Sequence, residues 1–313
     1  KPYHTIFMVG GNPGILGYDR IRRILEAAES MGMPEECTIE INPENVSSEI
    51  CSLHPYVSRV SVGVQSLNDD VLRTLGRNAS KDNALRALSI LRDSPFDFNA
   101  DIITAVPGES IGDSIRDIEQ VASFSPDHIS LYCLTFEEGT RLIERLEPIG
   151  DDSEAMFLEE CWKRLRELGY EHYEVSNFAR PGKRCKHNMV YWNLGQYIGF
   201  GPGAESSVGY TEAVSMADSY PLSAFLKGPE MQCEILTKDE TEEEYLLTKL
   251  RTIDGIEFGE YRKRFGCSFE ERYSEGIKGL DRGCYEMTGE SFHVTEKGMM
   301  ILNSVILSLS LCI

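Results

Sequence analysis

A glycine pair, two acids and an amide sit near the ends of short apolar runs, where they could hold a polar ligand, and a cation, Arg77, follows a short helical pattern. Gly10-Gly11, with Asn12 beside them, follow Thr5–Val9, and Glu40 lies near the end of Cys37–Ile41. Gln65 closes Val60–Val64, Arg77 follows Leu75-Gly76, and Asp101 lies within Phe98–Ile103. The chemistry open to such a set is capture rather than bond-making. Glycines let backbone groups approach a ligand without side-chain obstruction, and Asn12 can donate and accept. A carboxylate such as Glu40 can accept from the hydroxyls of a ribose. A guanidinium such as Arg77 can clamp a carboxylate bidentately, and Asp101 can accept from amino or hydroxyl groups. Plainer roles are equally open. Glu40 alternates with Ile39 and Ile41, as a strand residue pointing away from a core would; Gln65 and Asp101 can satisfy nearby backbone; Arg77 can be a cation at a helix C-terminus.

The runs that position these residues are separated by helical patterns, so they read as parallel strands of a βα repeat. In such barrels a site forms at the C-terminal ends of the strands. Helices are expected at about 19–31, 81–91, 113–124 and 151–168. The last begins with Asp151-Asp152-Ser153-Glu154, acids suited to the positive helix end, and is stopped by Gly169. Tyr170–Val175 supplies a sixth strand. The fold class is therefore α/β: an incomplete (β/α) barrel over residues 1–175. Residues 176–238 read as a loop-rich aromatic segment covering the site, with Phe178, Tyr191, Trp192, Tyr197, Phe200, Tyr210 and Tyr220 among many Gly and Pro. From about Asp239 to 313, helical patterns and a hairpin turning near Gly289 suggest a small winged-helix-like domain with a structural or docking use.

The chain has 313 residues and a formal charge of −20, which argues against a nucleic-acid partner. The one basic stretch, Arg180 to Lys186, is either a solvated loop or a patch for an anionic ligand. Nine cysteines without a close pair, and no signal peptide, read as reduced thiols in a cytoplasmic protein. The apolar run Met299–Ile313 is shorter than the ~20 residues a span needs, so a packed helix is expected there and no membrane-spanning segment. The chain opens on Lys1 and leads at once into a strand, as the remainder of a longer protein would.

In order, these motifs resemble those of the coproporphyrinogen III oxidase-like branch of the radical S-adenosylmethionine (SAM) proteins, and within it the HemW-type heme chaperones. They are Phe7-Met8-Val9-Gly10-Gly11-Asn12-Pro13, Ile39-Glu40-Ile41-Asn42-Pro43, Ser61-Val62-Gly63-Val64-Gln65-Ser66, Leu75-Gly76-Arg77, Asp101 through Pro107-Gly108, and Ile129-Ser130-Leu131-Tyr132 with Glu138-Gly139-Thr140. Tyr173 through Gly182, His187-Asn188-Met189-Val190-Tyr191-Trp192 and Gly199 through Ala204 follow. The resemblance implies that Gly10, Gly11 and Asn12 hold the amino end of SAM, that Glu40 takes the ribose of a first SAM, and that Gln65, Arg77 and Asp101 contact a second. It associates His187 with heme, although a His in that setting is also a common packing residue; neutral imidazole suits heme iron.

The resemblance also implies a [4Fe–4S] cluster on a Cys-x3-Cys-x2-Cys motif, soft thiolates suiting iron. No such spacing occurs in the sequence, and the closest pair, Cys37 and Cys51, is 14 apart. The cluster ligands are expected upstream of Lys1, so no metal ligand is assigned within the chain. Other departures are Asn12 in place of Thr, Glu205 in place of His, and Ala105 in place of Gly. The expected function is heme chaperoning, with heme or porphyrin as ligand and apo-hemoproteins at the membrane as partners. Two alternatives stand beside it: an oxygen-independent coproporphyrinogen III dehydrogenase using a deoxyadenosyl radical, and a degenerate binding protein without a cluster. A phosphate-binding barrel enzyme is less favoured, since no Gly-rich loop opens a helix near the last strands.

Overall fold

In the computed structural model, residues 3–30, 32–136, 139–140, 142–210, 213–217, 222–228 and 230–310 are described; Glu138 and Tyr220 lie outside them. Five runs of alternating character form the parallel strands β1 (Thr5–Met8), β2 (Glu36–Ile41), β3 (Arg59–Gln65), β4 (Asp97–Thr104) and β5 (His128–Cys133). A hairpin, β6 (Glu171–Glu174) and β7 (Asn177–Ala179), completes a seven-stranded sheet of order β1-β2-β3-β4-β5-β7-β6. The expected sixth strand is present and runs in the same direction as β5, but it does not pair with it. β7 inserts between it and β5, antiparallel to both. The stretch expected to begin as loop at 176 thus contributes a strand to this sheet.

Strand period explains the two faces. Ile39, Ile41, Val60, Val62, Val64, Ala100, Ile102, Ile129 and Leu131 are buried on the apolar face. The crossover helices are α1 (Tyr18–Glu29), α2 (Asp69–Thr74), α3 (Lys81–Arg92) and α4 (Ile111–Ala122), followed by α5 (Asp151–Glu167). They cover that face with Ile21, Leu25, Leu88, Leu91, Ile118, Val121, Trp162 and Leu165. Local chemistry fixes where they start. Ser80 with Asn83 caps α3 and Ser110 with Asp113 caps α4, each reciprocally. α5 ends where Gly169 adopts φ 85°.

Past β4 the chain turns through Ala105 at φ 63°, a left-handed conformation in a residue that carries a Cβ. Ala105→Gly is expected to stabilise the protein by about 0.5–1 kcal/mol, read as a rise in the midpoint of thermal or urea unfolding. An unchanged or lowered midpoint would mean that the buried methyl contributes more than the turn costs.

The chain divides into two compact units, Lys1–His187 and Asn188–Ile313. Helix α6 (Lys186–Trp192) spans the division. In the second unit, β8 (Glu205–Gly209), β9 (Ala213–Ala217) and β10 (Gln232–Ile235) form an antiparallel sheet of order β10-β9-β8, so the stretch read as loop-rich contains regular structure. Short helix α7 (Leu222–Phe225) precedes β10. Next come α8 (Lys238–Lys249), β11 (Ile256–Glu257), α9 (Phe258–Phe265), α10 (Phe269–Arg272) and α11 (Ser274–Gly279). The hairpin β12 (Tyr285–Met287) and β13 (Ser291–Val294) turns at Gly289 as expected, and β11 pairs with β13. The apolar C-terminal run folds as α12 (Glu296–Met300) and α13 (Leu302–Ser310), packed through Leu302, Val305, Ile306 and Leu309. No helix among the described residues is long and apolar enough to cross a membrane.

Candidate functional site

The inner face of the first sheet carries polar side chains on each of the strands β2 to β5. Alternation puts Glu36, Thr38 and Glu40 on one side of β2, with Arg59 and Ser61 of β3, Asn99 and Asp101 of β4, and His128, Ser130 and Tyr132 of β5. Register aligns Glu40 with Ser61, Ser61 with Asn99, and Asp101 with Ser130. Hydrogen bonds show that these side chains converge. Ser61 Oγ donates to Asp101 Oδ2 at 3.2 Å, and Asn99 Nδ2 to Asp101 Oδ1 at 2.7 Å. A polar residue at every second position of neighbouring strands is a signal the sequence carries. It picks out Ser61, Asn99, His128, Ser130 and Tyr132; Ser61, Ser130 and Tyr132 lie within the motifs of the resemblance, but none of the five is given a role in the site there.

At the C-terminal rim the structure brings Glu40 within electrostatic reach of both Asp101 and Arg77. Burial raises the Glu40 carboxyl above its ordinary range, Asp101 raises it further, and Arg77 opposes both. Burial likewise raises Asp101, against its hydrogen bonds from Ser130, Asn99 and Ser61. Two crowded acids and an exposed guanidinium are a set in which a ligand ammonium or hydroxyl can replace lost water. Gly10 and Gly11, at φ 98° and 65°, form the open turn after β1, and a Cβ on either would meet nothing within 4 Å. Gln65 ends β3 at a register shift with φ 64° while only 8 % exposed. A non-glycine residue held left-handed costs about 1–2 kcal/mol. The strained turn keeps the Gln65 amide beside Gly63, where an added Cβ would lie 2.8 Å from Nε2.

Asn12 is placed differently from the expectation. Its Oδ1 accepts from the Gly14 N–H at 3.2 Å and the Asn42 N–H at 3.4 Å, and its Nδ2 donates to Asn45 Oδ1 at 2.5 Å. It caps the short 3-10 turn Pro13–Leu16 and ties the β1 loop to the β2 loop. Asn12 therefore shapes the glycine turn from behind.

His187 is not at this rim. It lies at the opposite, N-terminal end of the strands: its Nδ1 is 2.8 Å from Thr5 Oγ1, and its backbone N–H donates to Glu36 Oε1 at 3.0 Å. The Phe7 ring packs against the imidazole with centroids 5.2 Å apart. Burial lowers the His187 pKa, with Glu36 opposing, so the imidazole is neutral at neutral pH. The basic stretch before it is consumed by neighbours and forms no anion patch. Arg180 lies over the Tyr170 ring, Lys183 pairs with Asp97 and Asp127, Arg184 with Glu171, and Lys186 with Glu35.

Just beyond Ala105, Glu109 accepts from the Val106 N–H at 3.1 Å and from Ser114 Oγ at 2.6 Å. Burial pushes its pKa up to about 7, against those two bonds. The folded protein then holds a proton that the unfolded chain has released, so the stability Glu109 contributes falls as pH rises from 4.5 to 7. Glu109→Gln is expected to match the wild type near pH 5 and to be about 1–2 kcal/mol more stable at pH 8, measured by urea unfolding at both pH values. Equal differences at the two pH values would count against a perturbed carboxyl.

Among the described residues the thiols offer no cluster site. Cys37, Cys133 and Cys161 are each pushed by burial to about 12, hence protonated. Among the described residues no three His, Cys, Asp or Glu side chains are grouped to hold a metal ion. The described residues therefore do not fit a [4Fe–4S] cluster. The rim has the chemistry a ligand of SAM's kind requires: crowded carboxylates can answer an ammonium or hydroxyls, and a guanidinium can answer a carboxylate.

A partial barrel with a polar rim at the carboxyl ends of its strands is the scaffold of the radical SAM class, and the Radical SAM superfamily matches residues 1–121. The HemN C-terminal domain matches residues 236–301. The fold is similar to that of Escherichia coli coproporphyrinogen III oxidase (HemN), with TM-score 0.82 at 18 % identity over 98 % of this chain and 78 % of that one. A heme chaperone HemW from Lactococcus lactis is 31 % identical over 96 % of this chain and 83 % of its own length. One from Mycobacterium tuberculosis is 32 % identical over 98 % and 80 %. The chain belongs to the HemW family.

Proposed function

We propose that this protein is a cytoplasmic heme chaperone that binds heme through His187, passes it to apo-hemoproteins at the membrane, and holds SAM at the barrel rim. The observation that carries the reading is likeness along 96 % of the chain to a protein named a heme chaperone. The His187 environment supports it. His187 Nδ1 lies 2.8 Å from Thr5 Oγ1, and a hydrogen bond at one ring nitrogen is what orients a metal-binding imidazole. Glu36 fixes the backbone from which the ring projects, accepting the Lys186 and His187 N–H groups at 3.0 Å each.

At the rim, Gly10 and Gly11 present open backbone, Glu40 accepts from the ribose of a first SAM, and Gln65, Arg77 and Asp101 hold a second. When bound, SAM supplies a sulfonium that these acids stabilise in a partly dehydrated setting. The two placements lie at opposite ends of the sheet, so heme and SAM would occupy separate sites.

Heme titration followed by absorbance tests the heme assignment. His187→Ala is expected to weaken binding about tenfold or more and to change the Soret band. Unchanged affinity would remove His187 from the site.

A further inference from the structure

Asp101 stands at the end of a chain of buried hydrogen bonds whose donors can be assigned one after another. Asn99 Nδ2 lies 2.7 Å from both Asp101 Oδ1 and Ser61 Oγ, which turns the amide so that Oδ1 faces the other way. That oxygen is 2.6 Å from His128 Nδ1 and 3.2 Å from Ser130 Oγ. An amide oxygen only accepts, so His128 carries its proton on Nδ1. Its other nitrogen, Nε2, is 2.8 Å from the Tyr173 hydroxyl. Behind Tyr173, the Cys185 backbone N–H donates to the phenol oxygen at 3.3 Å, leaving the phenol proton for His128. His128 is 1 % exposed, with the Arg59 guanidinium as its charged neighbour; burial and that cation together hold the imidazole neutral. Each donation therefore runs toward Asp101: Cys185 to Tyr173, Tyr173 to His128, His128 to Asn99, and Asn99 to the carboxylate.

We infer that His128 is a positioning residue for the SAM held at Asp101, its Nδ1–H locking the Asn99 amide so that Asp101 Oδ1 is already satisfied from behind and the carboxylate meets the ligand in one orientation. The inference rests on the rim being a SAM site. A carboxylate fixed in advance loses little orientational freedom on binding, which is where such a chain adds affinity. Releasing the Asn99 amide lets it flip and set its oxygen against the Asp101 carboxylate, and the pair can no longer be held in one orientation.

Calorimetric titration of SAM into the wild type, His128→Leu and His128→Asn tests it, with thermal midpoints recorded on the same samples. Asn can keep a donor near the Nδ1 position, whereas Leu keeps only bulk. Affinity about tenfold or more weaker in His128→Leu, with His128→Asn within about threefold of wild type, supports the inference. Wild-type affinity in a folded His128→Leu, or equal losses in both variants, overturns it. Nitrogen-15 NMR of the wild-type imidazoles gives a second reading that needs neither ligand nor variant. A neutral His128 protonated on Nδ1 is expected, and a proton on Nε2 overturns the assignment. Absence of SAM binding by the wild type would count against the rim reading, while the NMR result would still decide the hydrogen-bond chain.

Discussion

Glu40→Ala is expected to weaken SAM binding about 100-fold, roughly 2.7 kcal/mol, while making the ligand-free protein more stable at pH 8. The two effects have one cause. Glu40 is half-buried and its carboxyl is raised by burial and by Asp101, so ionised Glu40 is uncomfortable until a ligand cation or hydroxyl answers it. For an acid raised in the folded state, stability is fully present below the unfolded pKa and is lost as pH rises through the folded value. Removing Glu40 therefore helps most at pH 8 and least near pH 4. Isothermal calorimetry gives the first quantity and urea unfolding at the two pH values the second. A variant that loses affinity and also loses stability at pH 8 would show Glu40 to be a structural residue.

A second large effect is expected within the second unit. Glu242 on α8 is 1 % exposed and takes hydrogen bonds on Oε1 from the hydroxyls of Tyr261 and Tyr273, the latter at 2.6 Å, and from Arg272 Nε at 3.2 Å. Around it Tyr261, Phe269, Tyr273 and Phe292 pack ring against ring. Both phenols are raised above their ordinary value, chiefly by burial and with Glu242 adding to it, so they remain donors throughout the usable pH range. Glu242→Ala strips three donors of their acceptor and is expected to cost about 3–5 kcal/mol, whereas Glu242→Gln, which keeps one carbonyl oxygen, costs less. Urea unfolding followed by circular dichroism separates the two variants. A loss below about 1 kcal/mol in Glu242→Ala would show the cluster to be held by ring packing alone.

Strands β2 to β5 are legible because they alternate apolar residues with polar ones, β1 because it is a short apolar run before Gly10-Gly11, and the helices because their apolar positions recur three and four apart. Of the β6–β7 hairpin only β6 is legible, as the expected sixth strand; β7 is three residues long and the Val175-Ser176 connection before it carries neither Gly nor Pro. Asn12 is ambiguous for a local reason: an Asn before Pro serves equally at a ligand loop and as a cap, and only the three-dimensional approach of Asn42 and Asn45 decides between them. Gly10, Gly11, Glu40, Gln65, Arg77 and Asp101 stand out from ordered motifs. Of the residues behind them, Asn99 and His128 do not and Ser61 only opens a motif, because single polar side chains in apolar strands look like surface positions until the partial barrel turns them inward. The sequence separation of His187 from the rim motifs gives no hint that it returns to the N-terminal end of β1, where Thr5 and Phe7 receive it.

The most direct measurement is a crystal structure of the protein soaked with SAM. Electron density for the nucleoside is expected in the mouth of the barrel, with the ribose on Glu40, the amino end at Gly10-Gly11, and any second molecule between Gln65, Arg77 and Asp101. SAM seated elsewhere, or a mouth left empty at saturating ligand, would contradict the account.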